Sequence, residues 1–214
     1  MQIISAILAF VIAITIHEAS HAWMSDRLGD PTARLMGRLS FNPLRHLDLY
    51  GTVLIPLFLI FIGSPFVFGW AKPVMFDPYN LRNPKKDGAL IALSGPASNM
   101  LLAIVLAVVF NLINNPFFPS TFLKMLLTDI ITINVALAIF NLIPIHPLDG
   151  GKIFIGVLPD KDAAEAENFM NRFGLILLLI IIFPLFGRTS ALNAFITPIV
   201  SLILKILIPG SGMV

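Results

Sequence analysis

The feature that most constrains this chain is its opening run, QIISAILAFVIAITIHEASHAW at residues 2–23, which is apolar along its length yet carries two histidines and a glutamate near its end. A helix that crosses a bilayer needs about 20 predominantly apolar residues. The run meets that length. It has no basic leader and no A-x-A cleavage signal, so it reads as a retained membrane helix rather than a removable signal peptide. Ionisable groups at membrane depth are costly, and their presence there points to function. His17, Glu18 and His21 are therefore the first residues to explain.

The rest of the chain repeats the apolar pattern. Residues 88–113 and about 121–142 read as two further spans, and the runs 173–186 and 190–209 as a helical hairpin turned at Gly187-Arg188. The polar segment DKDAAEAENFMNR, 160–172, reads as a short interfacial helix. Gly51 to Gly63 is also apolar, but at 1.5 Å per residue it reaches only about 20 Å, short of the roughly 30 Å hydrocarbon layer. Of the 214 residues, 57% are hydrophobic and 12% charged, against roughly a quarter charged in a soluble domain. The predicted fold is an all-α polytopic membrane protein with about five transmembrane helices plus one re-entrant segment, or six spans if residues 51–63 cross. No polar block is long enough to enclose a second core, so residues 1–214 read as one domain.

A net charge of +2 is too small to argue for nucleic acid, and the chain has no cysteine. Disulfides, thiolate ligands and a cysteine nucleophile are thereby excluded, and any metal must be held by His, Asp or Glu. His17-Glu18-Ala19-Ser20-His21 is an H-E-x-x-H motif. On a helix, positions i and i+4 share a face, so both imidazoles can reach one metal, with the glutamate beside them to take a proton from water. The competing reading is a polar seam that joins helices, for which a single polar group suffices.

A catalytic zinc needs a third protein ligand. Asp149 is the best carboxylate, in Asn141-Leu-Ile-Pro-Ile-His-Pro-Leu-Asp149-Gly-Gly, where two prolines break a membrane helix. An ordinary helix stop with a solvated Asp explains the same residues equally well. His146, three residues earlier, is a gate or alternative ligand if the segment stays helical, and otherwise a plain neighbour. His46, in a loop beside Arg45 and Asp48, reads as solvated. Asn99 follows Gly95-Pro96 and either bonds freed backbone groups or reaches the site.

Together, HEASH on the first span, Gly95-Pro96-Ala-Ser-Asn99 on a middle one, and Asn141-x-x-Pro144-x-x-x-x-Asp149-Gly150 resemble the site-2 protease family of intramembrane metalloproteases. The resemblance covers nearly the whole chain and lacks the inserted PDZ domain and the CBS domain of larger members. It implies that His17, His21 and Asp149 hold one Zn2+ per chain. It also implies that Glu18 is the general base for zinc-activated water and that Asn141 contacts the substrate backbone or the developing oxyanion. The expected substrate is a membrane-spanning or membrane-bound protein or peptide, met within the lipid bilayer; the oligomeric state stays open. A metal or proton transporter also places His and Asp at membrane depth. It needs no glutamate beside the first histidine, and it usually shows related halves, which are not found here.

For Asp149 to meet the histidines, its helix and the first must run in the same direction, which requires an odd number of crossings between them. With residues 51–63 re-entrant, twelve of the 14 basic residues share one side and only Lys124 and Arg188 lie on the other. With a full span the split is six to eight. Positive charge marks the cytoplasmic side. The expected arrangement is thus a multi-pass protein of the cell (inner) membrane, N-terminus outside, active site nearer the cytoplasmic face. The run Phe68-Gly-Trp-Ala-Lys-Pro-Val74 is read as an edge strand able to pair with an unwound substrate.

Overall fold

In the computed structural model, residues 2–62, 72–114, 120–183 and 190–209 are described. Helix α1 (Gln2–Arg27) runs one turn beyond the apolar segment and is followed by α2 (Thr32–Leu35). A π-helical turn, Leu49–Leu54, leads into α3 (Ile55–Phe61). Then come α4 (Pro84–Ile113), α5 (Thr121–Asn141), α6 (Asp149–Val157), α7 (Asp160–Ile182) and α8 (Ala191–Leu207). No strand occurs among the described residues. The stretch read as an edge strand lies largely outside them, and its end, Lys72 to Val74, belongs to an irregular segment that runs to Asp77.

Three helices, α1, α4 and α5, are long and apolar enough to cross a membrane. They carry almost no charge in their interiors and pack on one another in a three-way bundle. Their directions follow from which residues meet. Ser5 donates to Asp129, and His17 faces Asp149, so numbers rise together along α1 and the α5 region. In contrast, His21 meets Ile91 while Ala13 meets Asn99, so α4 runs against α1. The apolar core is built where α4, α5 and α8 converge, from Ala103, Ala107, Phe110, Leu127, Ile131 and Val200.

Two expectations need correction. The polar 160–172 segment and the apolar residues 173–182 after it form one continuous helix, α7. Its first turn gains from Asp160 and Asp162 at the positive end of the helix dipole, no Pro separates the two halves, and Gly174 at the join stays within the helix. Gly95-Pro96 likewise does not disrupt its helix: α4 passes through both without a break. The run 190–209 yields a shorter helix of 17 residues, α8.

Candidate metal centre

His17 and His21 lie one turn apart on α1, both buried, with ring centroids 4.6 Å apart and planes at 87°. Each ring is fixed by a hydrogen bond from its inner nitrogen. His17 Nδ1 donates to Asn99 Oδ1 at 2.6 Å, and His21 Nδ1 donates to the Ile91 carbonyl at 2.7 Å. Those bonds assign the tautomer: in both rings Nε2 carries the lone pair. Asn99 is itself held, its amide donating to the Ala13 carbonyl at 3.0 Å and to Asn134 Oδ1 at 2.7 Å. Asn134 closes the chain by donating to the Ile130 carbonyl at 2.8 Å. Asn99 therefore joins a histidine of this cluster to a backbone carbonyl of α1.

Asp149 arrives from the break between α5 and α6. Leu142–Leu148 is not helical, the His146–Pro147 peptide is cis, and Asp149 opens α6. Gly150 permits this approach, because a β-carbon there would lie 2.2 Å from the Ile143 carbonyl oxygen. Asp149 Oδ2 stands 3.0 Å from His17 Nε2 and 3.3 Å from His21 Nε2. That oxygen is buried with no hydrogen-bond partner. Bonds of about 2.1 Å arranged tetrahedrally around zinc set neighbouring donors about 3.4 Å apart, so two nitrogens and an orphaned oxygen at these spacings fit a zinc ion. Among the described residues, this trio is the group of His, Asp and Glu donors that converges in this way.

The other expected residues fall around the trio. Glu18 is half-buried on the same helix, and its Oε2 accepts the Val74 backbone N–H at 3.2 Å. Asn141 donates to the Leu137 carbonyl at 3.0 Å, back along its own helix. His146 is outside the donor group, because its segment is not helical and does not carry it round to the face of Asp149. Its backbone instead packs on Gly174 of α7, where a β-carbon would lie 2.4 Å from the His146 carbonyl oxygen. His46 is fully buried rather than solvated, with Nε2 bonded to the Ser40 carbonyl at 2.7 Å, since the loop folds back over it.

Three contributors were not singled out from sequence. Asn134 is a buried amide in an apolar run, a signal that marks helix contacts in membranes. Gly95 faces both imidazoles, and in the sequence it is marked only as half of a Gly-Pro pair. Asp30, in the loop after α1, is fully buried and accepts from Ser25, Thr32, Asn80 and the Asp77 backbone, tying α1 to the segment that carries Val74.

Two buried histidines and a half-buried aspartate converging inside a bundle of apolar helices define a membrane-embedded metalloprotein. Comparison with known sequences sharpens this. The profile of Peptidase family M50 matches residues 5–126 and 118–181, and the chain belongs to that family of zinc metalloproteases. It is 32% identical over 184 residues to a Bacillus subtilis (strain 168) protein named "Putative zinc metalloprotease YwhC", covering 84% of this chain and 80% of that one. It is 24% identical to the similarly named Rip2 of Mycolicibacterium smegmatis (86% and 69% covered) and to Rip2 of Mycobacterium tuberculosis H37Rv (83% and 66%). No solved structure matches the chain.

Proposed function

We propose that this chain hydrolyses peptide bonds of membrane-spanning or membrane-bound substrates at the His17/His21/Asp149 centre. The observation that carries the reading is the convergence of three ligand atoms, all within 4.8 Å of one another, between helices apolar enough to span lipid. Zinc held there would supply a Lewis acid that brings the pKa of water to about 7. Glu18, next to the first ligand and half-buried, takes the proton from that water and passes it to the leaving amine. Its present partner, the Val74 N–H, belongs to an irregular stretch that is part of no helix, to which an unwound substrate would add as a strand. Asn141 stands at the end of α5, eight residues before Asp149, and its amide would turn from Leu137 to the substrate backbone or the oxyanion.

The topology belongs to the same proposal. Antiparallel α1 and α4 place the end of the first and the start of the second on one side, which supports a re-entrant course for residues 51–63. Five crossings would then be made by α1, α4, α5, α7 and α8, with the N-terminus outside and the metal centre nearer the cytoplasmic face.

The decisive experiment is turnover of a transmembrane peptide by the purified chain in detergent, with zinc measured in parallel. Glu18→Gln should retain zinc and lose at least about 10²-fold in rate. His17→Ala, His21→Ala and Asp149→Ala should lose the metal, and His146→Ala should keep it. Normal turnover by Glu18→Gln would exclude the hydrolytic mechanism, and full zinc in Asp149→Ala would remove the third ligand.

A further inference from the structure

Beyond the metal centre, one cluster of cations has no assigned task. Met36, Arg38, Leu44, Arg45, Leu47 and Lys72 line a cavity of about 230 Å³ beside the end of α1. Arg38 is only 5% exposed, and its guanidinium donates to the Arg45 backbone carbonyl. Among the described residues, none of the three cations forms an ion pair with a carboxylate. A buried guanidinium beside two further cations, with no carboxylate paired to it, is electrostatically incomplete, because a desolvated charge needs a counter-charge.

The surroundings say what kind of anion completes it. Trp23 and Arg27 stack at 5.4 Å at the end of the spanning helix, an aromatic and cationic pair typical of the membrane–water boundary. The loop beyond presents Leu35, Met36, Leu39, Phe41 and Leu44 as exposed side chains. Exposed apolar residues in that number are unfavourable in water and well placed against acyl chains. Arginine is suited to the paired oxygens of a phosphate, and two arginines with one lysine attract its negative charge.

We propose that Arg38, Arg45 and Lys72 form a binding site for the phosphate of an anionic phospholipid, its acyl chains lying over Met36 and Leu44. The site joins two parts of the chain. Lys72 N–H donates to the His46 carbonyl at 2.9 Å, and two residues later Val74 N–H reaches Glu18. A phosphate bridging the loop arginines and Lys72 therefore pins the stretch that borders the metal centre.

The test reads lipid binding, so it is separate from whether the metal centre cleaves peptides. The purified full chain in neutral detergent is titrated with phosphatidylglycerol, with phosphatidylcholine and with inorganic phosphate, and bound lipid is counted by native mass spectrometry. Phosphatidylglycerol should bind in clear preference to phosphatidylcholine. Arg45→Gln and Lys72→Gln, both at exposed positions, should each weaken it roughly fivefold, and together roughly 25-fold. Arg34→Gln, which removes an exposed cation of the same loop paired with Asp26, should leave it unchanged. The proposal is overturned by equal binding of the two lipids, or by an equal loss in Arg34→Gln. Millimolar phosphate that displaces phosphatidylglycerol from the cavity assigns it to a soluble phosphate and overturns the lipid reading.

Discussion

Gly95 stands so close to His21 that a β-carbon on it would lie 2.5 Å from the imidazole Cε1 and 2.6 Å from Nε2, and 2.7 Å from His17 Cε1. The two rings occupy space that any other residue on α4 would fill. Their shape and the glycine are one requirement.

Gly95→Ala should therefore displace both imidazoles. Alanine is the better helix former, by about 1 kcal/mol in a helix interior, so α4 itself should persist. The expected result is a protein with unchanged helicity by circular dichroism and zinc affinity reduced roughly 10–100-fold, the range seen when groups that orient metal ligands are altered. Full zinc affinity in this variant would mean the rings lie elsewhere.

Asn99 and Asn134 make the next prediction. Asn99→Ala strands the Nδ1–H of His17 and releases its tautomer, while Asn134→Ala removes only the support behind Asn99. Zinc affinity should fall roughly 10–100-fold in the first and less in the second. The double variant should not exceed Asn99→Ala by much, since both act through one chain of bonds. Additive losses in a zinc titration would show that Asn134 acts by another route.

Asp30 gives a pH-dependent test outside the spanning helices. Burial alone would raise its pKa, but donors from Thr32, Asn80, the Asp77 backbone and Ser25 prevail and lower it from 3.8 to about 2. A carboxylate depressed in the folded state stabilises the fold above its unfolded pKa and loses that contribution as pH falls through the folded one. Asp30→Asn should thus cost about 2 kcal/mol at neutral pH. The gap from wild type, read as thermal midpoints in detergent, should close between about pH 4 and pH 2. A gap that does not change with pH would assign the loss to packing.

What the sequence made legible follows from which signals are local. The H-E-x-x-H spacing fixes two donors through helix periodicity alone, and α1, α4 and α5 follow from apolar length. Asp149 is different: its neighbourhood suits a solvated helix stop as well as a ligand, and only the parallel course of α1 and the α5 region separates the two. His46 is misjudged for the same reason, since flanking Arg45 and Asp48 suggest solvent while the fold of the loop buries the ring. Asn134 and Gly95 act through partners 35 to 78 residues away, as in Asn99–Asn134 and His17–Gly95, Asp30 reaches Asp77 and Asn80, 47 and 50 residues on, and no local pattern announces such pairs. The division of 160–182 fails because a change in polarity along a chain need not be a change in backbone structure, and one helix, α7, carries both halves.

The course of the chain through the bilayer can be read with single cysteines, because the protein has none of its own. Leu35, Tyr79, Thr121 and Lys161 are exposed positions outside or at the ends of the spans, so burial in the protein will not mask them. With an impermeant thiol reagent on intact cells, Leu35→Cys, Tyr79→Cys and Lys161→Cys should stay unlabelled until the membrane is opened. Thr121→Cys should react at once, since the 114–120 connection carries no basic residue and its neighbours on the other side hold most of them. Tyr79 decides the matter. It lies between α3 and α4, and α4 runs against α1, so Tyr79 and Leu35 must share a side if the metal centre is to assemble. Labelling of Tyr79→Cys from outside, with Leu35→Cys protected, would turn α4 parallel to α1 and separate Ile91 and Asn99 from the histidines they hold.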